Sequence, residues 1–179
     1  AGTSVAIIDT GVDRTHPMLS GKVVAEACFT YFGCANGGSS QIAAGAAAPV
    51  NPHGTHVASI AAGRAWTAPN GVQLRGVAPD ANVVAVRVFQ TDPASGALFS
   101  YDSSVLAALD WVNSVRTKYA IAAANLSLGG ARYTSTSSCD AANFLYTALF
   151  TTLQNNGVAP VAAAGNDGAT GAMSAPGCT

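Results

Sequence analysis

Short apolar runs punctuate this chain and constrain its fold more than any other feature. Val5 to Ile8 ends at Asp-Thr-Gly, and Val83 to Phe89 follows the turn formers Pro79-Asp80-Ala81-Asn82. Ala120 to Ala124 continues into Asn125 to Leu128, and Val158 to Ala164 ends in Gly165-Asn166-Asp167-Gly168. Runs of this length, apolar at successive rather than alternate positions and closed by turn residues, read as strands buried on both faces. Val23 to Phe29 is a further candidate. Between the runs lie segments of helical character. Thr55 to Gly63 is rich in small residues and suits close packing on a sheet. Asp102 to Lys118 places Leu106, Leu109, Val112 and Val115 at helical or near-helical spacing, with Arg116 and Lys118 in the last turn, where the helix dipole favours cations. Asp140 to Asn156 repeats that design and stops at Gly157. The stretches Gly37 to Asn51, Gln90 to Ser100 and Gly130 to Ser138 read as surface loops. Strands alternating with helices give an α/β class: three layers, a mostly parallel sheet flanked by helices. A chain of 179 residues suffices for one core, so one domain over residues 1–179 is expected.

Composition narrows the function. Charged residues make up 9% of the chain where about 25% is usual, and hydrophobic ones 49%. Eight Lys and Arg against nine Asp and Glu leave a net charge of −1, so there is no basic footprint for nucleic acid. The apolar runs fall far short of the roughly 20 residues of a membrane span. Four cysteines, Cys28, Cys34, Cys139 and Cys178, allow three pairings and match no zinc-ligand spacing. Cys28 and Cys34 bracket a short loop ending in Asn36-Gly37-Gly38, and Cys139 and Cys178 both lie late in the chain. Two local disulfides in an exported, extracellular protein are therefore expected, the alternative being four buried thiols in a cytosolic one.

Open parallel sheets place their ligands at the carboxyl ends of the strands. Asp9 ends the first run, and Gly11 after it lets the chain turn and leave the carboxylate facing the crevice. His53 follows Pro52 just ahead of a helix, so its ring can face the same crevice. A carboxylate held against one imidazole nitrogen fixes the tautomer and stabilises the imidazolium formed when the other nitrogen takes a proton. Each motif alone has a plain structural alternative, a turn for Asp-Thr-Gly and a helix-start histidine for His53. Their joint occurrence points to an acid and base for nucleophilic catalysis.

Four segments in order, Ala6-Ile7-Ile8-Asp9-Thr10-Gly11-Val12-Asp13, His53-Gly54-Thr55-His56-Val57-Ala58, Asn125-Leu126-Ser127-Leu128-Gly129-Gly130 and Ala162-Ala163-Ala164-Gly165-Asn166, resemble the landmarks of the subtilisin-like serine proteases. The resemblance covers nearly the whole chain. It implies Asp9 as the orienting acid, His53 as general base and acid, and Asn166 as side-chain donor to a tetrahedral oxyanion. It implies Ser127, Leu128 and Gly129 as an edge strand for an extended polypeptide substrate, and Ala163, Ala164 and Gly165 as the lining of the pocket for the residue before the scissile bond. An amide such as Asn166 donates without needing a charge, and small residues at 162–165 leave room for a side chain.

Departures from the family pattern matter equally. Met18 stands where the family often has a calcium-binding aspartate. A structural calcium ion belongs to the family's range, but no metal ligand is assigned here. Cys28 and Cys34 lie in an insertion that most plain members lack. The family's nucleophile sits in a Gly-Thr-Ser-Met-Ala type segment well after the asparagine, whereas thirteen residues follow Asn166 and none fits. Gly2-Thr3-Ser4 is no substitute, because Ser4 lies five positions before Asp9 along one strand, roughly 16 Å away at about 3.3 Å per residue. The expectation is therefore part of a serine endopeptidase catalytic domain, with the later strands and the serine on a partner segment. The alternatives are a pseudoprotease that binds peptides without cutting them and a nucleotide-binding α/β domain. The last is disfavoured because no Gly-rich phosphate loop is present.

Overall fold

The computed structural model describes residues 2–179. Its main sheet contains β1 (Ser4–Asp9), β2 (Val23–Phe29), β3 (Ser40–Ile42), β6 (Asn82–Arg87), β9 (Ile121–Leu126) and β11 (Ala159–Ala162), in the order β11-β9-β1-β6-β2-β3. Every pairing is parallel except β2 with β3. Side-chain alternation assigns the two faces. Ala6, Ile8, Val84, Val86, Ala124 and Leu126 point into one core with α2 (Asp102–Val115) and α4 (Phe144–Asn155). Ile7, Val83 and Ala85 point into the other, with Ala58 and Ala62 of α1 (His53–Ala62). In β1 and β6 the continuous apolar runs arise because both faces are covered. β11, at the edge of the sheet, departs from the expected burial on both faces, with Ala159 and Val161 exposed.

β1 is the hinge of the topology. The chain leaves it toward β2 and β3, returns through α1 to β6, then crosses to β9 and β11 on the other side. Asp9 therefore ends the strand at which the winding direction reverses, the place where open parallel sheets form a crevice.

Several expected boundaries shift. The expected helix from Asp140 to Asn156 is two helices, α3 (Thr136–Ala142) and α4, broken at Asn143. The Asn143 backbone is non-helical, and its side-chain amide donates to the Cys139 carbonyl at 2.9 Å, a local bond that competes with the helical ladder. The expected loops contain short strands: β3 in the first, the hairpin of β7 (Gln90–Thr91) and β8 (Leu98–Phe99) in the second, and β10 (Arg132–Tyr133) in the third. β10 pairs with β12 (Met173–Ser174), and β4 (Trp66–Thr67) pairs with β5 (Gln73–Leu74). α2 ends at Val115, before the expected Lys118, although Arg116 still donates to the Asn113 carbonyl at 2.8 Å. Both disulfides form as expected, Cys28–Cys34 and Cys139–Cys178, so all four cysteines are paired.

Candidate active site

Asp9 is fully buried at the end of β1, and His53 is the first residue of α1 with its side chain half exposed. Nδ1 of His53 lies 2.8 Å from Asp9 Oδ1 and 3.0 Å from Oδ2. The Thr10 N–H also donates to Oδ1, at 2.6 Å. A buried carboxylate without donors is costly, so these two bonds let Asp9 remain inside the sheet edge. With Nδ1 facing the carboxylate, Nε2 is left for a proton in transit.

A bracket of local contacts sets this geometry. The Thr10 hydroxyl donates to the Asn51 carbonyl at 2.9 Å and accepts from the Gly54 N–H at 2.9 Å. The Asn51 side-chain carbonyl accepts from the His53 N–H at 3.0 Å, taking up one of the free donors of the first helical turn. Gly54 is forced by space: a Cβ there would lie 2.2 Å from the Gly11 carbonyl oxygen and 3.1 Å from Asp9 Oδ1. Gly11 itself has φ +99°, and a Cβ on it would meet the Ala47 carbonyl at 2.6 Å. Asp9-Thr10-Gly11 and His53-Gly54 therefore form one interlocked unit.

The other expected residues gather on the same sheet edge without joining that pair directly. Ser127, Leu128 and Gly129 follow β9 and are not part of its ladder, which corrects their expected place on a strand. The neighbours run out: β1 pairs with β9 only as far as Asn125, and the Ala163 N–H to Leu126 carbonyl bond closes the β11 side. Ser127 accepts from the Asn125 amide at 2.9 Å, Leu128 packs against the α2 and α4 core, and Gly129 is exposed. Ala163 is half-buried, while Ala164, Gly165 and Asn166 are exposed in the loop after β11.

Ser174 has a structural part that the sequence pattern did not signal. It is buried, its N–H donates to the Ala164 carbonyl at 2.9 Å, and its Cβ would stand 3.2 Å from a Cβ on either Gly129 or Gly165. It holds the two loops together, and only their glycines let it fit. Ser4, in contrast, is buried at the far end of β1 with its hydroxyl on the Tyr119 carbonyl at 2.6 Å, which bears out its exclusion as a nucleophile. A cavity of about 460 Å³ lies alongside the 128–130 segment, walled by Phe89, Leu98, Phe99, Tyr101, Leu128 and Gly129 among others.

A calcium site does not fit at Met18. Its thioether is buried against Ala58 and Ala62, and the described residues contain no cluster of three or more His, Cys, Asp or Glu side chains able to hold an ion.

Comparison with known proteins identifies the family. The family model described as "Subtilase family" matches residues 1–179. The chain belongs to the subtilase family. Among its subtilase relatives, the "Thermophilic serine proteinase" of Bacillus sp. (strain AK1) is 34% identical over 170 residues, covering 95% of this chain and 34% of that protein. The "Extracellular serine proteinase" of Thermus sp. (strain Rt41A) is 34% identical over 167 residues, covering 93% of this chain and 32% of that protein. The solved structure of "S41 Psychrophilic Protease" superimposes with a TM-score of 0.74 at 28% identity, covering 99% of this chain and 50% of that one. This subtilase chain thus spans about a third of the two curated relatives and half of the solved one.

Proposed function

We propose that this chain supplies the acid and base of a serine endopeptidase that hydrolyses peptide bonds in polypeptides, residues 1–179 forming part of its catalytic domain. The observation that carries the proposal is the Asp9 carboxylate bonded to Nδ1 of His53 at 2.8 Å, with the ring half open to solvent. The nucleophilic serine comes from a segment other than this one. Among the described residues, no serine hydroxyl bonds to His53.

In the complete enzyme, that serine attacks the peptide carbonyl while Nε2 of His53 takes its proton, and Asp9 holds the ring and stabilises the imidazolium. His53 then returns the proton to the leaving amine. Asn166 donates to the oxyanion, and loss of such a donor costs on the order of 10² to 10³ in turnover. The substrate lies along Ser127-Leu128-Gly129, and the residue before the scissile bond sits over Ala163-Ala164-Gly165. Small or absent side chains there admit both a second backbone and a substrate side chain. Export to the extracellular space is supported by the two disulfides and by the extracellular designation of the Thermus relative.

The test is fluorophosphonate labelling of the purified material followed by intact mass measurement under denaturing conditions. The expected result is a label on a serine outside residues 1–179, with residues 1–179 themselves unlabelled. Folded material that stays unlabelled throughout would leave peptide binding without cleavage as its activity.

A further inference from the structure

The wall of the cavity beside Leu128 and Gly129 does not end at Tyr101. The Phe99 and Tyr101 rings meet edge to face at 5.3 Å, Tyr101 meets Tyr31 at 5.8 Å, and Tyr31 meets Phe32 at 5.5 Å. Tyr31 is 69% exposed, Tyr101 47% and Phe32 44%. A run of aromatic rings therefore passes from the cavity out over the turn after β2, within the insertion that carries Cys28 and Cys34.

That turn is held with unusual care for a segment whose two tip side chains are open to water. The Cys28–Cys34 disulfide closes its base. The side-chain carbonyl of Gln90, itself 2% exposed, accepts from the Tyr31 N–H at 2.8 Å and the Phe32 N–H at 3.3 Å. The Thr30 hydroxyl accepts from the Gly33 N–H at 2.8 Å, and the buried Arg87 guanidinium donates to the Gly33 carbonyl. Burying Gln90 and Arg87 costs free energy, and what they fix is the direction in which Tyr31 and Phe32 face. Rigid aromatic side chains bind at low entropic cost.

We infer that Tyr31 and Phe32 form an aromatic platform extending the substrate cleft, where it receives apolar side chains of the polypeptide upstream of the scissile bond. This rests on the protease reading of the cleft above. Same-side residues of an extended chain repeat at about 6.6 Å, close to the spacing of these rings. The two steps from Tyr101 to Phe32 accommodate up to about three further residues at about 3.3 Å each. Continuity with the cavity wall through Tyr101 makes the substrate itself the occupant.

The experiment uses the isotope-labelled protein as isolated, together with any companion segment and with its serine blocked by fluorophosphonate, and three peptides followed by amide chemical shifts. The core peptide is acetyl-Ala-Ala-Ala-Leu-amide, and the other two extend it at the amino end with Phe-Ala-Phe or Ser-Ala-Ser. The Phe-extended peptide is expected to bind about tenfold more tightly than the Ser-extended one. The double variant Tyr31→Ser, Phe32→Ser should bring that ratio within twofold while affinity for the core peptide stays unchanged. Phe32→Ala alone, which touches only an exposed tip, should reduce the ratio to about threefold. A ratio near one in the unmodified chain, or a tenfold ratio that survives the double variant, overturns the platform while leaving the cleft in place. If no peptide shifts the Gly129 and Gly165 amides, the cleft reading fails and the platform fails with it.

Discussion

Gly54→Ala is the substitution that most severely tests how the acid and base are held. The added methyl carbon would start 2.2 Å from the Gly11 carbonyl oxygen and 3.1 Å from Asp9 Cβ and Oδ1. A relaxed contact needs about 1 Å more than the first of these distances. Gly11 is itself hemmed in, because the place a Cβ on it would take is already filled by the Ala47 and Ala48 carbonyls and Pro49. The start of α1 must move instead, which stretches both the 2.8 Å His53–Asp9 bond and the 2.9 Å Gly54–Thr10 bond. Overpacking costs about 1–3 kcal/mol. Weakening a hydrogen bond to a buried carboxylate adds about 1.5–3 kcal/mol. A total of about 3 kcal/mol or more corresponds, at about 2 kcal/mol per M of urea, to a midpoint lower by about 1.5 M. Gly130→Ala is the control, since a Cβ there meets nothing within 4 Å and its φ is not in the left-handed region. It should be neutral or stabilising by about 0.5 kcal/mol. Equal urea midpoints for the two variants would refute the claim that backbone contact at Gly54 fixes the pair.

Two further outcomes follow from the rest of the structure. Removing Cys139–Cys178, which joins residues 39 apart in sequence, should cost about 4 kcal/mol in urea unfolding, against about 2 kcal/mol for Cys28–Cys34 with a separation of 6; the reverse order would contradict the loop-closure account. Tyr146 donates to Asp102 at 2.9 Å, and burial, with the Asp102 charge and that bond as lesser causes, pushes its phenol well above the ordinary value. The folded state thus keeps a proton that the unfolded state releases above about pH 10. Its stabilising contribution is complete below that pH and is lost as pH rises beyond it. Tyr146→Phe should cost about 1 kcal/mol at neutral pH and flatten the alkaline fall in urea stability, whereas an unchanged alkaline slope would contradict it.

Legibility in the sequence followed the range of the interactions. Asp9 and His53 could be read because each lies in a local motif whose turn and helix start are encoded within a few residues. The runs of β1 and β6 could be read because burial on both faces leaves a continuous apolar signature, whereas the run of β11 carries the same signature although Ala159 and Val161 are exposed. The two-residue ladders β4–β5, β7–β8 and β10–β12 could not, since so short a pairing is fixed by what the loop packs on. The break at Asn143 was hidden because its neighbours keep helical spacing, and the deciding bond is one amide to the Cys139 carbonyl. Ser127-Leu128-Gly129 read as strand because the apolar pattern does not reveal where the flanking strands stop. Ser174 gave no signal, since its part depends on Gly129 and Gly165, which are distant or indirect in sequence.

Nitrogen NMR of the His53 ring tests the central claim most directly. Asp9 as orienting acid requires the neutral ring to carry its proton on Nδ1 and leave Nε2 unprotonated, and Asp9→Asn, by offering an amide donor, should reverse that tautomer. A neutral His53 protonated on Nε2 in the unmodified chain, or a tautomer indifferent to Asp9→Asn, would contradict the assignment of these two residues as acid and base.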